Sequence, residues 1–184
     1  MRDISLHILD IAQNSLNAGS SLIAIEVKAD TQRDILKIVI KDNGCGMSRE
    51  LLERVKSPFT TTRTTRNVGL GIPLFAASCE CTDGRLDITS CPGEGTTLDA
   101  ELGFKHIDRP PLGDIAQTVA MLTIMNTQTD FVFSAVKDDK SFSYDTRQIK
   151  ETLGDVPLTE PEVTAFIQQY LDEGLREVFG GIEL

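Results

Sequence analysis

Apolar residues recur at helical spacing along the first turns of the chain. Ile4, Ile8, Ile11, Ala12 and Leu16 fall on one side, predicting an amphipathic helix from about Asp3 to Asn17 that ends near Ala18-Gly19. The period then changes to two. Ser21 to Lys28 places Ile23, Ile25 and Val27 on one face, Ile35 to Lys41 is a β-branched run, and the polar stretch from Asp30 to Asp34 joins them as a hairpin. Ser48 caps a short helix carrying Leu51, Leu52 and Val55. From Ser57 to Val68 the chain reads SPFTTTRTTRNV, which has neither period and is expected to be a loop. Gly69-Leu70-Gly71 leads into an apolar helix with Pro73 in its first turn. Gly84 to Ser90 and Thr96 to Leu102 form a second hairpin around CPGEG. This order of elements predicts an α/β sandwich, with helices over one face of a mixed sheet.

Pro110-Pro111 punctuates the chain, and residues 1–104 and 105–184 read as two regions, the second a smaller α+β region. Its expected elements are a helix over about Asp114 to Met125, strands around Phe131 to Val136 and Ser141 to Tyr144, and a helix near Arg147 to Leu153. In the final helix Thr159 and Glu162 have the spacing of a capping box. Val163, Phe166, Ile167, Tyr170, Leu171 and Val178 form one apolar stripe before Gly180-Gly181, expected to pack on its own domain.

Composition narrows the classes. A chain of 184 residues, 40% hydrophobic, is long enough for one good core with a smaller appendage. Its net charge of −10 argues against a nucleic-acid partner, and residues 105–184, with 7 basic and 14 acidic side chains, hold most of the acidity. No apolar run reaches the roughly 18 residues of a spanning helix. The N-terminus lacks a signal-peptide pattern, so no membrane association and a cytoplasmic location are expected. Cys45, Cys79, Cys81 and Cys91 then read as reduced thiols and small buried apolar residues. Cys79 and Cys81 would point to different sides of a helix, and no paired C-x-x-C supports zinc.

Three stretches carry candidate chemistry: DIAQNSLNAG on the first helix, DNGCGM at a strand end, and NVGLGIPL entering a helix. Asp42 is either an ordinary turn acid or, beside Gly44 and Gly46, a carboxylate placed to accept from an amino group on a flat ring lying against bare backbone. Gly69 and Gly71 make a plain turn, or open a helix N-terminus whose free N–H groups would receive phosphates. Asn14, read as buried on its helix, is an amide paired with a neighbouring loop or an oxygen ligand for Mg2+ shared with nucleotide phosphates. Asp10, one turn earlier on the same edge, is a solvated helix acid or a group that orders a water and accepts its proton.

In order, DIAQNSLNAG, DNGCGM, SPFTTTR, NVGLGIPL and PGEGTTLDAEL resemble the N, G1, F, G2 and G3 boxes of the GHKL superfamily, over about residues 4–104. That superfamily comprises the ATPase domains of DNA gyrase, heat-shock chaperones, histidine kinases and MutL. The resemblance implies the Bergerat α/β sandwich and ATP with Mg2+ as ligands. It makes Asn14 the Mg2+ ligand and Asp42 the adenine-binding acid, with Gly44, Gly46 and Met47 lining the base pocket. Gly69 and Gly71, flanking Leu70, become the phosphate-side glycines, Thr96 a residue near the adenine, and Arg63 and Arg66 lid residues in reach of phosphate. QNSLNAG is similar to MutL, whereas the later boxes and the short lid follow the sensor histidine kinases. Neither His7 nor His106 stands in a phosphoacceptor motif, and the ATPases carry Glu where this chain has Asp10, so neither autophosphorylation nor strong hydrolysis is implied.

The expected function is therefore that of a Mg-ATP-binding, histidine-kinase-type catalytic domain that acts in trans. It would transfer phosphoryl to a His, Ser or Thr of a partner protein, as anti-sigma-factor serine kinases do. The alternative is a nucleotide-gated regulatory protein or slow ATPase. A homodimer is compatible with either, and a third reading makes Cys79, Cys81 and Cys91 a redox or metal site.

Overall fold

A computed structural model of the chain describes residues 3–56 and 70–180. The first helix, α1 (Ile4–Asn17), is followed by the hairpin β1 (Leu22–Asp30) and β2 (Ile35–Asp42), then α2 (Arg49–Lys56), α3 (Gly71–Glu80) and a second hairpin, β3 (Arg85–Cys91) and β4 (Gly95–Gly103). After it come α4 (Ile115–Met125), β5 (Asp130–Lys137), β6 (Lys140–Asp145), α5 (Thr146–Leu153) and α6 (Pro161–Phe179). The strands form one mixed sheet in the order β3-β4-β2-β1-β5-β6. All pairs are antiparallel except β1 with β5, which run parallel from Leu22 opposite Asp130 to Ala29 opposite Lys137. The expected mixed sheet with a helical layer is present, and the two strands of the α+β C-terminal region extend that same sheet.

Strand alternation makes the core. Ile23, Ile25, Val27 and Ala29 of β1, Leu36, Ile38 and Ile40 of β2, and Phe131, Phe133 and Ala135 of β5 are buried on one face. Above them α1 packs on α3 and α4, and α4 on α6. The segment before α4 holds the start of α1. The Asp3 carboxylate accepts from the Leu6 N–H (3.0 Å), and the N–H groups of Ile4 and Ser5 donate to the carbonyls of Pro111 and Leu112 (both 2.9 Å). Donors that a helix start leaves free are thus satisfied from far along the chain.

Two local expectations are corrected. Thr159 and Glu162 do not form a capping box: Glu160 is the N-cap residue of α6 and makes no side-chain capping bond. Pro161 takes the first helical position, where its fixed φ and missing N–H are tolerated, and this moves Thr159 outside the helix. Nor is the whole apolar stripe covered. Val163, Ile167, Leu171 and Val178 are buried, but Phe166 and Tyr170 are 57% and 40% exposed. The buried ridge includes Gly174, where a Cβ would overlap the Phe142 ring of β6.

Of the four cysteines only Cys79 is buried, and burial pushes its thiol up to about 12. Cys45, Cys81 and Cys91 are exposed, contrary to the expectation of small buried residues. Among the described residues no three His, Cys, Asp or Glu side chains are grouped to hold a metal, and no helix is long and apolar enough to cross a membrane.

His7 joins α1 to α3. Its ring is fully buried and stacks on Phe75, with centroids 4.5 Å apart and planes 14° from parallel. Ser78 Oγ donates to the Leu74 carbonyl (3.0 Å), so at its 3.3 Å contact with this hydroxyl the His7 Nε2 is the donor. The neutral ring leaves Nδ1 without a partner, and burial depresses the imidazole to about 4. Below pH 6.5 the unfolded chain takes up a proton that the folded chain refuses until about pH 4. Stability therefore falls with acid across that window, by up to about 1.4 kcal/mol per pH unit from this one group. Urea unfolding at several pH values should give His7→Leu a shallower acid slope than the parent, and equal slopes would mean that folding does not depress the His7 imidazole.

Candidate functional site

The alternation that buries Leu36, Ile38 and Ile40 continues one step further and turns a carboxylate inward. Asp42, the last residue of β2, is only 7% exposed. A buried polar group needs hydrogen bonds, and Asp42 has two: Ser15 Oγ of α1 donates to Oδ2 (2.7 Å) and the Gly44 N–H donates to Oδ1 (2.9 Å). Each oxygen retains acceptor capacity.

The loop after β2 is bound to the α1–β1 turn. Asn43 Oδ1 accepts from the N–H groups of Ser21 and Leu22 (both 2.9 Å), and the Cys45 N–H donates to the Ala18 carbonyl (2.9 Å). Two glycines make the approach of the neighbouring hairpin feasible. Gly46 has φ +65°, and a Cβ there would overlap the Cys91 carbonyl; Gly95 has φ +107°, and its Cβ would overlap the Asp42 carbonyl. Ser90 closes the junction. Its Oγ accepts from the Met47 N–H (2.9 Å) and lies 2.9 Å from both the Gly95 carbonyl and Thr96 Oγ1.

A cavity of about 380 Å³ lies over this junction. Ile40, Ile88 and Leu98 of the sheet, together with Ile11, Met47 and Ile72, line it with apolar surface. Asp42, Thr96 and Asn14 supply polar groups, and the cavity's size and lining suit a small organic ligand.

Of the residues read from the sequence, Asn14, Asp42, Gly46, Met47 and Thr96 converge on this cavity. Gly44 stands behind it, packed against Ala18 and Ser20. Asn14 is exposed, not buried as expected, because it sits on the open edge of α1 facing the cavity mouth. Leu70 is the N-cap residue of α3, is exposed, and makes no side-chain capping bond. Gly71 lies against Asp10 so closely that a Cβ would overlap Oδ2. That carboxylate oxygen is buried without a hydrogen-bond partner among the described residues, at the start of α3. Arg63, Arg66 and Gly69 lie outside the described residues. Ser15, Asn43, Ser90 and Gly95 were not anticipated; the one available signal was the two-residue period ending on Asp42, which demands an internal donor.

The sequence of residues 2–106 matches the family of histidine kinase-, DNA gyrase B- and HSP90-like ATPases, and the chain belongs to that family. Among individual relatives, it is 32% identical over 117 residues to the non-motile and phage-resistance protein of Caulobacter vibrioides, covering 59% of this chain and 14% of that protein. It is 24% identical over 175 residues to the sensor histidine kinase AtsR of Burkholderia thailandensis, covering 91% of this chain and 27% of that protein. The chain thus spans only a minor part of the length of these relatives. In three dimensions it is similar to the MutL ATPase domain of Aquifex aeolicus, solved with ADP, at a TM-score of 0.52 and 11% identity, over 83% of this chain and 69% of that one. This likeness supports the fold assignment.

Replacing Ser15 by Ala removes one of the two donors from the Asp42 carboxylate. The expected cost is about 1–3 kcal/mol of stability in urea unfolding, and an unchanged midpoint and slope would mean that the Gly44 N–H suffices.

Proposed function

We propose that residues 1–104 bind Mg-ATP in the cavity over Asp42, as a histidine-kinase-type catalytic region that delivers phosphoryl to a protein partner on another chain. The observation that carries this reading is the buried Asp42 carboxylate, oriented by Ser15 and Gly44 in a mainly apolar cavity of about 380 Å³. A carboxylate is acceptor-only and suits adenine's amino group. The Thr96 hydroxyl, coupled to Ser90, offers the adjacent polar contact. Gly46 and Met47 would lie along the ring, with Gly44 holding the carboxylate from behind.

The phosphates would extend toward the start of α3, where Gly71 and the rest of the first turn carry N–H groups that the N-cap residue Leu70 does not cap. Leu70 flanks that turn; Gly69, Arg63 and Arg66 are assigned here from the sequence alone. The oxygen donor of Asn14 fits Mg2+, which keeps several waters and is held by few protein ligands together with phosphates. Bound there, the ion would supply charge neutralisation for the transferred group. Asp10 faces the same region with a buried oxygen that has no partner among the described residues, and its role would be to orient a water or accept a proton. Catalysis of this type rests mainly on positioning.

A partner in trans is favoured because His7 is fully buried against Phe75 and has no access to phosphate. A regulatory protein with slow turnover remains the second reading. It is favoured by Asp10, whose side chain is one methylene shorter than the Glu of the related ATPases.

Calorimetry with Mg-ATP should find Asp42→Asn weakened by about tenfold or more, while Asn14→Ala retains nucleotide binding and loses its dependence on Mg2+. Unchanged affinity in Asp42→Asn would overturn the site assignment. Separately, transfer of labelled γ-phosphate to proteins encoded beside this chain would support the kinase reading, and tight binding with no transfer would favour the regulatory one.

A further inference from the structure

At the far end of the sheet from the nucleotide cavity, β6 is an edge strand, paired among the described residues with β5 alone. Between it, α5 and α6 lies a second cavity of about 250 Å³. Tyr144, Ile149 and Leu153 line its interior. Phe166 and Tyr170 form one wall, their rings parallel within 12° and 5.9 Å apart, and Tyr170 also packs on Phe142 at 5.1 Å. Two adjacent aromatic side chains, about half exposed at the mouth of an apolar cavity, are the composition of a protein-binding surface rather than of an ordinary solvated helix face.

The charges around the cavity determine what could cover it. On α6, Glu162 stands one turn before Phe166, and Glu173 stands three residues after Tyr170. Glu151 of α5, and Asp155 and Glu160 of the α5–α6 connection, are exposed as well. None of these five carboxylates forms an ion pair among the described residues, and Glu173 accepts only from Gln169. The cations on α5 are already engaged, Arg147 with Asp145 and Lys150 with Asp130. The result is an aromatic groove whose two helices and their connection carry exposed carboxylates, with the α5 cations engaged and Arg176, the one cation of α6, in the last turn of that helix beyond Tyr170. A second copy of the chain, net −10, would bring like charge to it.

We infer that the groove between α5, α6 and β6 docks a basic segment of another protein, which places an apolar side chain in the cavity and lysines or arginines on the rim. The aromatic faces of Phe166 and Tyr170 serve both parts of such a segment, burying aliphatic surface and attracting a cation held above the ring. The inference does not rest on nucleotide binding, since the groove and the nucleotide cavity lie at opposite ends of the sheet and share no residue.

Two synthetic amphipathic helices test it, with the same leucine pattern and with either lysine or glutamate on the polar face, each labelled and titrated with the full chain by fluorescence anisotropy. The lysine peptide should bind and weaken with rising salt, and the glutamate peptide should not bind. Phe166→Ala with Tyr170→Ala, and separately Glu162→Lys with Glu173→Lys, should each weaken the lysine peptide by about tenfold, with unchanged thermal unfolding verifying the fold. Equal binding of both peptides would overturn the charge argument. Full retention of binding by the aromatic double variant would overturn the groove, leaving only diffuse attraction to an acidic protein. Sedimentation showing a dimer that dissociates in the aromatic variant would assign the face to a second copy and overturn the proposal.

Discussion

Asp42 ends a strand whose other inward residues are leucine and isoleucine, and a carboxyl group in that position is costly unless its oxygens are hydrogen-bonded. The donors come from two directions, the Ser15 hydroxyl on α1 and the Gly44 N–H in the following turn. Holding both in place requires the turn after β2 to be bound to the α1–β1 connection, which the Asn43 side chain and the Cys45 N–H accomplish. It also requires the β3–β4 hairpin to approach within backbone distance, which Gly46 and Gly95 allow. The polar junction and the cavity above it are one construction around a single buried carboxyl group.

That construction depends on the rest of the sheet. β1 carries β2 on one side and β5 on the other, so the strands of the C-terminal region cover an edge that would otherwise offer free N–H and C=O groups. The same region supplies Pro111 and Leu112 to the first N–H groups of α1, the helix that bears Asp10, Asn14 and Ser15. The family match ends at residue 106, yet the residues beyond it fix the position of α1.

The two cavities have contrasting chemistry. The first combines an apolar lining with one oriented carboxylate and an open helix start, an arrangement suited to a flat ring with a charged tail. The second combines aromatic walls with exposed carboxylates on the adjoining helices that form no ion pair among the described residues, which suits cationic and aliphatic side chains. Placing them at opposite ends of one sheet lets both be occupied at once, separated by β1, whose inward side chains are all core.

Local sequence determined most of the elements. The helical period of α1, the two-residue period of the strands, and the Gly-Pro punctuation act within a few residues, and the observed boundaries follow them closely. The family boxes made Asp42, Asn14, Gly46, Met47 and Thr96 legible as a group, because each is a short motif with its own backbone requirement. What only the tertiary structure decided involves partners distant along the chain. Ser15 meets Asp42 across 27 positions, β5 joins β1, and Pro111 completes the start of α1. Exposure was decided there too. Asn14 and Phe166 both fit an apolar or buried pattern by spacing, yet both are exposed, because period states which side of a helix a residue occupies and only packing states whether a neighbour covers it.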